Sequence, residues 1–117
     1  MLIVITKIYV PPRNQKEILQ TLYSLLDLNR KEGGCLNYNI YQEIGCENHY
    51  CLIERWSSLK QWDTYFGSDR FKVFMGAMSF LDRTPQITFG TVSSEKKAES
   101  LMKRIQEMQP GSDSNGD

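Results

Sequence analysis

A chain of 117 residues in which 14 Lys and Arg offset 14 Asp and Glu carries no net charge, so its overall field does not draw it to nucleic acid or any other polyanion. That length allows one domain whose core can stand without disulfides or metal. No apolar run approaches the ~18 residues of a membrane span, and a soluble protein is expected.

The chain opens on Met1-Leu2-Ile3-Val4-Ile5 with no basic segment before it, and Thr6-Lys7 and Pro11-Pro12 interrupt the apolar run, so it reads as a strand rather than a signal peptide. Residues 2 to 10 are β-branched and apolar at both parities, with Leu2, Val4, Thr6 and Ile8 on one side and Ile3, Ile5 and Tyr9 on the other. Pro11-Pro12 ends it. Asn14 with Glu17 forms a candidate capping box for a helix whose buried face is Ile18, Leu22, Leu25, Leu26 and Asn29, closed by Gly33-Gly34.

From Cys35 to Gln42 the period changes to two, with Leu36, Tyr38 and Ile40 opposite Asn37, Asn39 and Tyr41. Gly45 and Asn48 mark a turn, and His49 to Trp56 returns as the second arm of a hairpin. Ser58 with Gln61 predicts a short helix through Phe66, Gly67 stops it, and Ser68-Asp69 caps a third helix whose inner face is Phe71, Phe74, Met75 and Met78. Pro85 precedes a last strand, Gln86 to Val92.

Strand, helix, two strands, helices, strand is the order of an α+β ferredoxin-like domain over residues 1–92: a four-stranded antiparallel sheet with helices on one face. Its other face needs a cover, because leaving a large apolar side chain wet forfeits roughly 1.5–3 kcal/mol, and the sheet of a second copy is the expected one, giving a homodimer. Residues 93–109 add an amphipathic helix, read from Glu95 to Met108 with Ala98, Leu101, Met102, Ile105 and Met108 on one stripe; it docks on its own subunit or on its twin. Residues 110–117 read as a disordered tail.

Ile53-Glu54-Arg55-Trp56, then Leu59, Tyr65 and Ser68-Asp69-Arg70-Phe71-Lys72, resemble the signature of the antibiotic-biosynthesis-monooxygenase family, and the likeness covers residues 2 to 92. It implies a dimeric α/β barrel with an apolar pocket between helices and sheet in each subunit. It also implies oxygenation without a cofactor, in which a quinol or anthrone-like substrate supplies the electrons for dioxygen. A dry aromatic pocket with donors for a developing oxyanion suffices for that chemistry.

The family's heme-degrading branch uses Asn, Trp and His where this chain has Thr6, Tyr65 and Met75. Without the His, heme loses its usual nitrogen ligand, which argues for no cofactor and leaves only a Met75 thioether as an iron ligand there. Quinol-type members carry His where Tyr65 and Asp69 stand. The resemblance therefore yields two functions, a monooxygenase and a non-catalytic dimer that binds a small ligand or serves as a structural module.

On the first reading, Tyr65, Trp62 and Thr6 form the catalytic set and Tyr38, Phe66, Phe71, Phe74 and Met75 line the ligand, although rings at such spacings also serve as plain core. His49, the sole histidine, sits at the hairpin and reads as a surface polar group. Glu54 reads as a buried ion pair with Lys7, with acid–base catalysis as the alternative. No metal is expected: Cys35, Cys46, Cys51 and His49 lack zinc-ligand spacing, and an odd thiol count without Cys-x-x-Cys suits a reducing cytoplasm. An RNA-recognition motif shares the strand order, but His49–Trp56 holds one basic residue, Arg55, and no glycine.

Overall fold

The alternation in the first segment becomes strand β1 (Leu2–Tyr9), with Leu2, Val4, Thr6 and Ile8 buried, Ile3, Ile5 and Tyr9 half-buried, and Lys7 exposed. The computed structural model describes residues 1–31 and 33–108; the expected tail, 110–117, lies outside them. Pro11 and Pro12 set a short 3₁₀ turn, Pro12–Asn14, that leads directly into helix α1 (Gln15–Arg30). Its buried stripe is Ile18, Leu22, Leu25, Leu26 and Asn29, the face its 3.6-residue period marked out.

The expected capping box at Asn14 does not form. The prolines start the turn early, so Asn14 already has near-helical angles (φ −106°, ψ −1°), its N–H donates to Pro11 O at 2.9 Å, and its side chain caps nothing. Asn14 Oδ1 is left buried without a partner.

Strands β2 (Cys35–Gln42) and β3 (His49–Trp56) form the hairpin, its turn using positive φ at Gly45 (83°) and Asn48 (68°). Leu36 departs from expectation. A bulge between Cys35 and Asn37 swings it out to 52% exposure, and Cys35 takes the inward place against the core. Gly34 abuts the next helix, since a Cβ there would fall 2.4 Å from Gln61 Oε1, and its carbonyl accepts the Ser57 N–H at 2.9 Å.

Helices α2 (Leu59–Phe66) and α3 (Asp69–Met78) are each capped as the sequence indicates: Ser58 Oγ accepts from the Gln61 N–H and Ser68 Oγ from the Phe71 N–H, both at 3.3 Å. The inner face of α3 is Phe71, Phe74, Ala77 and Met78, not the expected set containing Met75. Once Ala77 joins the stripe its centre shifts, and Met75 lies about a quarter turn away, 46% exposed.

Strand β4 (Gln86–Thr91) completes an all-antiparallel sheet of order β2-β3-β1-β4. The fold is the ferredoxin-like α+β arrangement. Helix α4 (Ala98–Met108) starts at Ala98 rather than Glu95, because the Glu95 carboxylate accepts a hydrogen bond from Arg55 Nη1 instead of opening the helix. Among the described residues no helix is long and apolar enough to cross a membrane.

Candidate active site

The sheet register places Tyr38, Glu54, Val4 and Phe89 in one row on the helix side. Trp56, two residues on from Glu54 and therefore on the same face, anchors a packed group of rings. Tyr65 from α2 stacks on Trp56 at 5.0 Å, and Trp62 meets Trp56, Tyr65, Phe71 and Phe89 edge-on at 5.9, 5.4, 5.7 and 5.5 Å. Phe74 joins through Phe71 at 5.8 Å, and Phe66 lies at the surface end, 4.9 Å from Phe71 and 58% exposed. These spacings are those of favourable aromatic pairs.

A polar group is embedded in the rings. Asn29 Nδ2 donates to Tyr65 Oη at 3.1 Å, and Arg70 Nε donates to Asn29 Oδ1 at 3.0 Å. The Arg70 guanidinium also sits 5.8 Å from the centre of the Tyr65 ring. Trp56 Nε1 donates to Glu54 Oε1 at 3.0 Å. The Tyr38 hydroxyl lies near Tyr65 and Asn29 yet completes no hydrogen bond of good geometry, and it is fully buried.

Burial pushes the Glu54 carboxyl from its ordinary 4.5 up to about 7, and the Trp56 donor only partly opposes this. Burial likewise pushes Tyr65 to about 12, with the Glu54 charge adding to the rise, and raises Tyr38 well above a normal phenol for the same two reasons. The expected Glu54–Lys7 pair is absent. Glu54 stands opposite Val4 on the helix side, whereas Lys7 stands opposite Cys51 on the other face and is exposed.

The model of the family described as antibiotic biosynthesis monooxygenase matches residues 1–77. The chain belongs to that family. YcnE of Bacillus subtilis (strain 168), named as a candidate monooxygenase, is 30% identical over 56 residues, which are 48% of this chain and 59% of that protein. The chain thus spans little more than half the length of that curated relative. A conserved protein from Methanosarcina mazei Go1 superposes with a TM-score of 0.72 at 29% identity, over 76% of this chain and 89% of that one. A structure titled as a candidate antibiotic biosynthesis monooxygenase from Deinococcus radiodurans reaches 0.78 at 19% identity, over 83% and 97%, and shares the fold.

As a member of the antibiotic biosynthesis monooxygenase family, this chain brings together Tyr65, Trp62, Tyr38, Phe71 and Phe74 from among the residues expected at its site. Thr6 is buried on the same face one row away, between Leu52 and Ile87. Met75 instead borders an open cleft of ≈ 270 Å³ with Met78, Leu81 and Pro85. His49 lines a second cleft, of ≈ 230 Å³, with Lys7, Tyr9 and Arg83, whose guanidinium lies 4.1 Å from the Tyr9 ring centre.

Asn29, Glu54 and Arg70 complete the polar group; Asn29 and Arg70 were not among the expected site residues, and Glu54 was expected there only as the alternative to an ion pair. Asn29 had a signal, being a polar residue on an otherwise apolar helix stripe. Among the described residues no group of three or more His, Cys, Asp or Glu side chains is placed to hold a metal ion.

Proposed function

We propose that the protein is a cofactor-independent monooxygenase that oxidises a reduced aromatic small molecule, quinol-like or anthrone-like, with dioxygen. For an anthrone, the ring CH₂ becomes C=O; one oxygen atom enters the substrate and the other leaves as water with both CH₂ hydrogens, so the carbon supplies the four electrons that dioxygen takes up. The observation that carries this reading is the buried Tyr38 hydroxyl, which lies near Tyr65, Asn29 and Glu54 yet completes no hydrogen bond of good geometry. A polar group left unsatisfied in a dry site awaits a partner, and a substrate phenol is of the right chemistry.

In this reading Trp62, Phe71 and Phe74 stack the flat substrate, Tyr65 and Tyr38 bond its oxygens, and Thr6 contributes a hydroxyl one row further on. Phe66 and Met75, both on the surface, flank the approach. Glu54 accepts or returns the substrate proton, its carboxyl titrating near neutrality. The half-buried outer face of Ile3, Ile5 and Ile53 supports pairing of two copies through their sheets. Three cysteines, an odd count without a Cys-x-x-Cys pair, support a reducing cytoplasm.

One observation favours the second reading, a dimer that binds a ligand without turnover or serves as a structural module. Tyr65 is stacked on Trp56 and only 2% exposed, so a ligand must displace rings to reach it. Oxygen uptake measured against anthrones and hydroquinones separates the two. Consumption that falls in Tyr65→Phe and Tyr38→Phe supports the oxygenase; binding without consumption leaves the second reading standing.

A further inference from the structure

Helix α4 buries none of its residues. Leu101, Met102, Ile105 and Met108 lie on one stripe and are 44%, 62%, 59% and 72% exposed. A helix of 11 residues is marginal in water unless its apolar face is docked. The stripe's docking surface is therefore not its own subunit.

The path of the chain indicates where that surface lies. After the Val92 N–H bonds Met1 O beside the end of β4, Glu95 reaches Arg55. Arg55 stands opposite Ile3, on the sheet face turned away from α1, α2 and α3. The chain thus leaves the edge strand and brings the Glu95 side chain across to Arg55 of β3 just before α4 begins.

We propose that α4 of one copy packs its stripe on a second copy of this chain, strapping the two paired sheets together. This rests on the sheet pairing proposed above and adds the element that holds the pair. Glu99 and Glu107 balance Lys103 and Arg104, so α4 lacks the cationic face that a helix lying on an anionic bilayer carries. Its four apolar side chains present roughly 400 Å² per copy, the size of an interaction patch and about half of what each partner of a standard interface contributes. Ile3, Ile5, Cys51 and Ile53 are half-buried on the sheet face that carries Arg55 and add apolar area for the same partner to cover.

The test is the association equilibrium of the full chain and of its Leu101→Asp/Ile105→Asp variant, followed by analytical ultracentrifugation from nanomolar to tens of micromolar. Since α4 lies outside the core, the near-ultraviolet circular dichroism of Trp56 and Trp62 reports that the variant is folded. The expected result is a dimer whose dissociation constant rises at least about a hundredfold in the variant. An unchanged constant overturns the strap and leaves the sheet pairing intact, whereas a full chain that stays monomeric throughout overturns both. Hydrogen exchange gives a second readout: α4 amides are protected in the dimer and lose protection on dilution. Protection that appears only with phosphatidylserine vesicles overturns the proposal in favour of a membrane surface.

Discussion

Replacing Glu54 with Gln should remove a pH dependence of stability that the buried carboxyl imposes. The native state holds this proton up to about 7, against an ordinary value of 4.5, so between these limits it binds more protons than the unfolded chain. Stability from Glu54 is therefore fully present below about 4.5 and is lost as the pH rises through about 7. The difference corresponds to roughly 3 kcal/mol. Gln reproduces the neutral acid, and its carbonyl can accept from Trp56 Nε1. Urea melts followed by the fluorescence of Trp56 and Trp62, at intervals from pH 4.5 to pH 8.5, supply the measurement. Subtracting wild type from variant cancels the surface carboxylates, which respond in the opposite sense. The difference should be near zero at the acid end and climb by roughly 3 kcal/mol in favour of the variant above neutrality. A difference curve flat across that window would show that Glu54 is ionised throughout and that the environment described for it is wrong.

Tyr38→Phe removes a buried hydroxyl that completes no hydrogen bond of good geometry, so urea melts should show stability unchanged or raised by up to about 1 kcal/mol, while affinity for a phenolic ligand falls. Asn29→Ala removes the donor to the buried Tyr65 hydroxyl and one acceptor of Arg70 and should lower stability by roughly 1–2 kcal/mol in the same assay. Ser68→Ala deletes the acceptor for the first turn of α3, with an expected loss of about 1 kcal/mol read from the thermal midpoint.

Elements whose boundaries depend on local chemistry were legible in the sequence. The period of α1, the prolines closing β1, the serine caps of α2 and α3 and the glycine turn of the hairpin each act within a few residues, and each lies where the pattern places it. Errors arose where a distant partner decides. Leu36 faces out because β2 meets β3 through a bulge, a feature of pairing rather than of either strand alone. Glu54 and Lys7 fall on opposite faces because of a register that charge complementarity cannot reveal. Met75 and Ala77 differ by two positions on one helix, and the apolar preference for Met lost to the direction from which α1 and α2 pack against α3. At the site, the rings were visible by type and spacing, but the link from Asn29 to Tyr65 joins residues 36 apart, and only the assembled fold brings them together.

Apart from Asn14 Oδ1 at the other end of α1, the departures from ordinary packing gather in one place. A carboxyl pushed toward neutrality and a phenol left without a hydrogen bond of good geometry are cross-strand neighbours in one sheet row, and the only polar residue on the buried face of α1 points into the same place. A core selected for stability alone would fill that row with aliphatic side chains, because each unsatisfied or desolvated polar group works against the folded state. Such exceptions in natural proteins concentrate where function requires them, so their convergence on Tyr38, Glu54, Asn29 and Tyr65 locates the site by an argument independent of family membership. The same logic separates this site from the exposed cleft around His49, Lys7 and Arg83, which no unpartnered buried side-chain atom among the described residues lines. If Tyr38→Phe and Glu54→Gln together yield a more stable protein that no longer binds phenols, the strain in that row is retained for ligand chemistry; if both raise stability and leave binding unchanged, it is not.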